Sequence, residues 1–132
     1  MRWTSRLAVL AATTAAVVFG TAGLAAASEN IGWLYTTGTG GKAYFDADKA
    51  GVEGWEEITV CDTYTDGGAA VATLFDYTTW ESKGSFKDSY NDGACTHYSG
   101  NYVTDEHVVF LQVCVVKSGT RSHCSQEVSG VS

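Results

Sequence analysis

Aromatic side chains are the residues of this sequence whose chemistry best suits a binding surface. After residue 27 the chain holds three tryptophans, seven tyrosines and four phenylalanines. Rings in or near predicted loops belong to Trp55, Tyr64, Trp80, Tyr90, Tyr98 and Tyr102. The two candidate binding pairs are Trp80 with Tyr77 and Tyr98 with Tyr102. Such rings stack on sugar faces or anchor a protein partner, or alternatively close the ends of a small β-domain.

Carboxylates between residues 46 and 57 partly match a calcium-binding loop. Asp46, Asp48, Gly51 and Glu57 fall on its first, third, sixth and twelfth positions, where oxygen ligands and a sharp bend are needed. Ala50 occupies the fifth position and supplies no ligand, and no helix is predicted on either side. We therefore expect an acidic turn with weak or no calcium binding, and no metal or cofactor elsewhere.

Paired carboxylates raise the possibility of glycoside hydrolysis, which uses two acids across a sugar-binding cleft. The candidates are Glu56, Glu57, Asp62 and Asp66. A domain of this size with short loops rarely builds such a cleft, so strand-surface solubility is the favoured interpretation.

No catalytic motif accompanies the three histidines. His97, His107 and His123 are the side chains whose ordinary pKa lies near neutrality. No Gly-x-Ser-x-Gly segment occurs in the sequence, and no Ser-His-Asp set stands out among the many serines and aspartates. The sequence therefore predicts a protein that is not an enzyme.

Four cysteines predict two disulfides, because an even number in a small exported domain is typical of a disulfide framework. Among the possible pairings we favour Cys61–Cys95 and Cys114–Cys124. The second pair brackets residues 117–120, a natural hairpin tip that would bring the two cysteines face to face. Zinc binding through Cys95-x-His97 and the neighbouring His123-Cys124 fits no standard ligand spacing.

The N-terminal residues have the order of a secretory signal. A short basic start with Arg2 and Arg6 precedes an apolar stretch and the small residues Ala25, Ala26 and Ala27. We expect cleavage after Ala27, which leaves residues 28–132 as a single secreted domain with no membrane attachment. A retained membrane anchor is the alternative, although alanine, threonine and glycine insert weakly.

The charge of the chain excludes some partner classes. The net charge is −7, and loss of Arg2 and Arg6 leaves six basic against fifteen acidic side chains, or −9. Such a domain repels nucleic-acid backbones and anionic lipid. We expect a monomer whose partner is an extracellular protein or glycan.

Short strands separated by glycine-rich turns predict an all-β fold. The expected strands cover residues 31–37, 42–46, 57–62, 69–77, 85–87, 107–117 and 121–128. Alternation places Val71, Thr73, Phe75 and Tyr77 on one strand face. Phe45, Phe75 and Phe110 are expected in the core. Residues 108–116 are apolar on both faces, which is typical of a strand covered on both sides.

About seven such strands predict a small antiparallel β-sandwich, with a small closed barrel as the alternative. Asp66-Gly67 is expected to close a hairpin, because this dipeptide supplies the positive φ of a tight turn. Ile31, Trp33 and Tyr35 are expected on one face of the first strand.

Three segments resemble a pattern in small exported actinobacterial proteins of uncharacterised function. They are Gly41-Lys42-Ala43-Tyr44-Phe45, Ile58-Thr59-Val60-Cys61-Asp62-Thr63 and Asp66-Gly67, followed by the later pair Cys114 and Cys124. The resemblance implies a secreted β-sandwich with two disulfides and carries no catalytic residues.

Three functions remain open at this point. The first is a secreted, non-enzymatic domain that binds a protein or glycan. The second is an inhibitor of an extracellular hydrolase, with residues 78–93 as its exposed loop. The third is a small hydrolase that uses Glu57 or Asp62.

Overall fold

The computed structural model describes residues 27–132. Apart from Ala27, the signal peptide predicted over residues 1–27 lies outside this range and stays a prediction. Within the described residues, no helix is long and apolar enough to cross a membrane.

Nine strands and one 3₁₀ turn, Lys49–Gly51, make up the regular structure of residues 27–132. The strands are β1 (Ile31–Tyr35), β2 (Gly41–Asp46), β3 (Glu56–Asp62), β4 (Ala69–Asp76), β5 (Glu81–Asp88), β6 (Thr96–Gly100), β7 (Val108–Lys117), β8 (Thr120–Ser122) and β9 (Val128–Val131).

The strands form two antiparallel sheets. Sheet 1 has the order β1-β2-β3-β6, and sheet 2 has the order β5-β4-β7-β8, with β9 also paired to β7. The predicted small antiparallel β-sandwich is confirmed, and the closed-barrel alternative is wrong. The count exceeds seven because β6 was not recognised and the strand expected over residues 121–128 is two separate strands, β8 and β9.

The core lies between the inner faces of the two sheets. Alternate residues of each strand point inward, so β2 buries Ala43 and Phe45 while β7 buries Val109, Leu111 and Val113. The predicted core position of Phe45 is confirmed. A buried apolar layer of this kind supplies most of the stabilisation of a small sandwich.

The Asp66-Gly67 turn joins two strands that are not paired with each other. β3 belongs to sheet 1 and β4 to sheet 2, so the predicted hairpin is wrong and the segment is a corner between the sheets. The local turn chemistry is still present: Gly67 has φ +75°, and the Gly68 N–H donates to Asp66 Oδ1 over 2.7 Å. Turn residues set the local bend but leave open whether the flanking strands hydrogen-bond.

The outer face of sheet 2 is open, contrary to the prediction for β7. Burial alternates along β7 as far as Val113, with Val109, Leu111 and Val113 buried and Phe110 and Gln112 only partly buried, whereas Cys114, on the outer face, is buried where its disulfide covers it. Phe75 lies directly opposite Phe110 across the β4–β7 pair, on this same outer face. The predicted core position of both phenylalanines is therefore wrong, because apolar type alone does not reveal which side of a sheet is covered.

A β-bulge changes the faces of β1. The register shifts between Ile31 and Leu34, so Ile31 is buried while Trp33 and Tyr35 are exposed. The prediction that Ile31, Trp33 and Tyr35 share one face is wrong, because an inserted residue resets the period of two.

Both predicted disulfides are present, with Cys61–Cys95 and Cys114–Cys124 separated by 34 and 10 residues along the chain. Cys61–Cys95 connects the end of β3 to the loop before β6. Cys114–Cys124 connects β7 to the segment after β8. No free cysteine remains among the described residues.

Candidate ligand-binding groove

Four aromatic side chains share a groove on the outer face of sheet 2. They are Phe75, Tyr77, Trp80 and Phe110, and with neighbouring polar side chains they line a cavity of about 380 Å³, here called the aromatic groove. Trp80 is 69% exposed and Tyr77 is 46% exposed, whereas Phe75 and Phe110 are partly buried in the floor. The predicted pair Trp80 and Tyr77 is therefore brought together at one site.

The four rings support one another. The ring centroids of Tyr77 and Trp80 are 4.7 Å apart, and Trp80 meets Phe75 edge-on at 6.1 Å. Tyr77 contacts Phe110 edge-on at 5.3 Å. Such contacts limit the rotation of the exposed rings, so less conformational entropy is lost when a ligand covers them.

Strand β4 ends at Asp76, and this buried carboxylate fixes the turn that presents Trp80. Asp76 Oδ1 accepts hydrogen bonds from the backbone N–H groups of Thr78 and Thr79, at 2.9 and 3.1 Å. Its Oδ2 lies 2.8 Å from His107 Nδ1 and 3.5 Å from Lys83 Nζ. Asp76 is thus a positioning residue for the groove.

The charge of Asp76 is stabilised by these neighbours. Burial by itself would raise the pKa of the carboxyl, but the hydrogen bonds from His107 and Thr79 outweigh burial and lower the pKa to about 2. The Asp76 carboxylate is therefore ionised at neutral pH. Trp80 itself has φ +60°, an unfavourable backbone conformation for a residue with a side chain, so the turn needs such support.

Polar side chains form the other half of the groove. Thr73 and Gln112 are cross-strand partners beside the aromatic rings. Arg121 reaches from β8 across the sheet, and its Nη2 lies 3.4 Å from Ser85 Oγ on β5. Glu127, whose side chain is exposed, completes the lining.

The second predicted aromatic pair lies elsewhere, and only Tyr102 is in a loop, directly after β6. Tyr98 is part of β6, and its hydroxyl donates to the Lys87 carbonyl over 2.6 Å. The rings of Tyr98 and Tyr102 each lie 5.2 Å from the Phe86 ring, and both are partly buried. They connect β6 to β5 at the edge of the sandwich, so we assign them a packing role.

Three groove residues, Gln112, Arg121 and Glu127, were not anticipated from the sequence. Only the β4 part of the groove could be predicted from the sequence, because the alternation of residues along β4 placed Thr73, Phe75 and Tyr77 on one face. The structure confirms that these three residues share a face, and all three line the groove.

The paired-carboxylate candidates do not converge on one site. Glu56 is fully buried, while its neighbour Glu57 points to the opposite, outer face of sheet 1. Asp62 is also buried, and Asp66 is in the corner turn. The interpretation of these acids as strand-surface charges is wrong for Glu56 and Asp62, because a period-two pattern does not distinguish a buried acid from an exposed one.

Burial sets the ionisation of these internal acids. It raises the pKa of Glu56, although the Tyr102 N–H donates to Glu56 Oε2 over 2.7 Å and opposes the shift. Glu56 Oε1 is buried and has no hydrogen-bond partner among the described residues. Burial also raises the pKa of Asp62, with the nearby charges of Asp88 and Asp66 adding to it.

Glu57 takes part in a polar cluster on sheet 1. Hydrogen bonding from Lys49 lowers the pKa of Glu57, and Ser99 Oγ donates to Glu57 Oε2 over 2.9 Å. His97 Nδ1 lies 3.3 Å from Glu57 Oε1. In the part of the chain that the structure describes, no group of three or more His, Cys, Asp or Glu side chains is placed to hold a metal ion.

The comparisons with known proteins add no relative. No protein-family profile, no curated protein and no solved structure matches the chain. The resemblance to exported actinobacterial proteins therefore stays a prediction, and the function is argued from the groove alone.

Proposed function

We propose that the protein is a secreted, non-enzymatic binding domain whose ligand-binding surface is the aromatic groove. The observation that carries the proposal is the exposure of Trp80 and Tyr77 above an apolar floor beside charged and amide side chains. Exposed large rings are costly to leave in water and are typical of the centre of a recognition surface. Two disulfides in a small domain are compatible with an extracellular location.

The geometry offers less support for the other two functions. An inhibitor was expected to present residues 78–93 as an exposed loop, but β5 occupies Glu81–Asp88 and makes most of that segment a paired strand. That loop prediction is wrong. A hydrolase based on Glu57 would need a second carboxylate facing it, and Glu56 faces the other side of β3.

Replacing Trp80 by alanine should weaken binding at least tenfold while the melting temperature changes by no more than about 2 °C. The indole is mostly exposed, so its loss removes contact area for a ligand but little from the core. The measurement is retention of array glycans and of exported proteins from culture medium by the immobilised protein and its variant.

The matched control is Trp33→Ala. Trp33 is 42% exposed on the other sheet, where its ring packs on Tyr44 and lies under the Lys42 ammonium. This variant should retain every ligand of the wild type. Equal retention by the wild type and Trp80→Ala, or no retained ligand at all, would contradict the proposed function.

A further inference from the structure

We infer that the occupant of the aromatic groove is a neutral glycan chain. The inference rests on the proposed function and names its ligand class. It is argued from the hydrogen-bonding capacity of the polar half, from the charge of the groove and from the rings that form the other half.

The rings and the polar side chains lie side by side along the groove. Trp80 and Tyr77 offer flat apolar surfaces, and Gln112, Arg121 and Glu127 offer hydrogen-bonding groups next to them. A pyranose ring has the same division, with apolar C–H groups on its face and hydroxyl groups around its rim. The C–H face of one sugar can therefore stack on an aromatic side chain while the hydroxyl groups of the same sugar hydrogen-bond to the polar side chains.

The polar half offers both acceptors and donors, and its Arg121 and Glu127 side chains are exposed to a ligand. Glu127 as a carboxylate only accepts hydrogen bonds, Arg121 only donates them, and the Gln112 amide does both. A hydroxyl group serves all three. A proline-rich segment, which also docks on aromatic grooves, offers carbonyl acceptors, but its prolines have no N–H to donate to Glu127.

Charge indicates that the glycan is neutral. The groove contains one cationic side chain, Arg121, and one anionic side chain, Glu127, so its own charge balances. The chain around it is strongly acidic, at −9 after residue 27, and its field repels polyanionic polysaccharides. Lys83 on β5 does not line the groove, and its ammonium is paired with Glu81 Oε2 at 2.9 Å and Asp76 Oδ2 at 3.5 Å.

The test is affinity electrophoresis of the full chain, expressed with its own N-terminal segment and recovered from culture medium. Native gels contain one soluble polysaccharide each: hydroxyethylcellulose, mixed-linkage β-glucan, galactomannan and dextran as neutral probes, and polygalacturonate as an acidic probe. We expect at least one neutral polysaccharide to retard the protein and polygalacturonate to leave its mobility unchanged.

Variants assign the retardation to the groove. Trp80→Ala should raise the dissociation constant at least tenfold, Arg121→Gln and Glu127→Gln should each raise it about threefold to tenfold, and Trp33→Ala should leave it unchanged. Arg121→Gln and Glu127→Gln change exposed polar side chains that contribute little to the stability of the fold. The inference can therefore still be tested with them if Trp80→Ala lowers the melting temperature.

Three results would overturn the inference. They are retardation by polygalacturonate alone, retardation by no polysaccharide, and retardation that Trp80→Ala, Arg121→Gln and Glu127→Gln leave unchanged. Binding of a protein or of a decaproline peptide that depends on Trp80, without any polysaccharide binding, would also overturn it but would leave the proposed function standing. If no ligand depends on Trp80 for binding, both the glycan inference and the proposed function are wrong.

Discussion

Replacing Cys61 and Cys95 together by alanine should lower the free energy of unfolding by about 4 kcal/mol, the largest single effect expected for this chain. The disulfide closes a loop of 34 residues, and cutting it restores the conformational freedom of that loop to the unfolded chain. A domain of this size has a modest core and a total stability of roughly 5–15 kcal/mol, so much of its stability depends on this bond. Urea unfolding at neutral pH measures the difference.

The second disulfide is the control for the first. Cys114 and Cys124 are 10 residues apart, so their joint replacement by alanine should cost less, about 3 kcal/mol. A loss below about 1 kcal/mol for both double variants would contradict the loop-entropy account of how this fold is stabilised.

Replacing Asp76 by asparagine should cost about 2 kcal/mol of stability at pH 6 and much less near pH 2. The folded-state pKa of Asp76 is about 2, below the usual aspartate pKa of 3.8. A depressed carboxyl pKa contributes stability that is complete above the unfolded-state value and is lost as the pH falls through the folded-state value. The difference between wild type and variant should therefore shrink between about pH 4 and pH 2.

Urea unfolding of both proteins between about pH 2 and pH 6 measures this difference. Asp92→Asn is the matched control, because Asp92 Oδ1 also accepts a backbone hydrogen bond, from the Ala94 N–H at 2.9 Å, but in an exposed loop after β5. If Asp76→Asn loses the same free energy of unfolding at every pH in this range, the charge of Asp76 is not what stabilises the turn. Glu56 and Asp62 have raised pKa values, so their contributions to stability increase as the pH falls, whereas that of Asp76 decreases. The contribution of Asp76 is therefore obtained only from the difference between wild type and variant.

Local patterns in the sequence predicted most strands because each pattern has a local physical cause. β-branched residues mark β7, and alternation marks β3 and β4. The cysteine pairing also followed, since Cys114 and Cys124 flank a short hairpin. Each of these features depends on residues close together in the chain.

Features that depend on distant residues were not predictable. The Asp66-Gly67 turn has the same local residues whether it joins two paired strands or two sheets. The sequence therefore did not reveal that the chain passes from sheet 1 to sheet 2 there. Phe75 and Phe110 look like core residues until the register places them opposite each other on an open face. The polar half of the groove combines Gln112, Arg121 and Glu127 from separate segments, and no spacing rule connects them.

The groove's aromatic half was partly predictable. Trp80 and Tyr77 were chosen because they lie near a loop, and the structure places them in contact. Tyr98 and Tyr102 were chosen on the same ground, but Tyr98 in β6 and Tyr102 in the loop after it both pack against Phe86. Proximity to a predicted loop therefore does not distinguish a binding ring from a packing ring.

The central claim, that the aromatic groove is the ligand-binding surface, is tested most directly by chemical-shift mapping. Amide and indole N–H resonances of the ¹⁵N-labelled protein are followed as an oligosaccharide of the retained neutral polysaccharide is added. The account predicts that the largest shifts fall on the Trp80 indole, Tyr77, Phe110 and Gln112, with the Trp33 indole unmoved. Shifts confined to sheet 1, or spread evenly over both sheets, would contradict it.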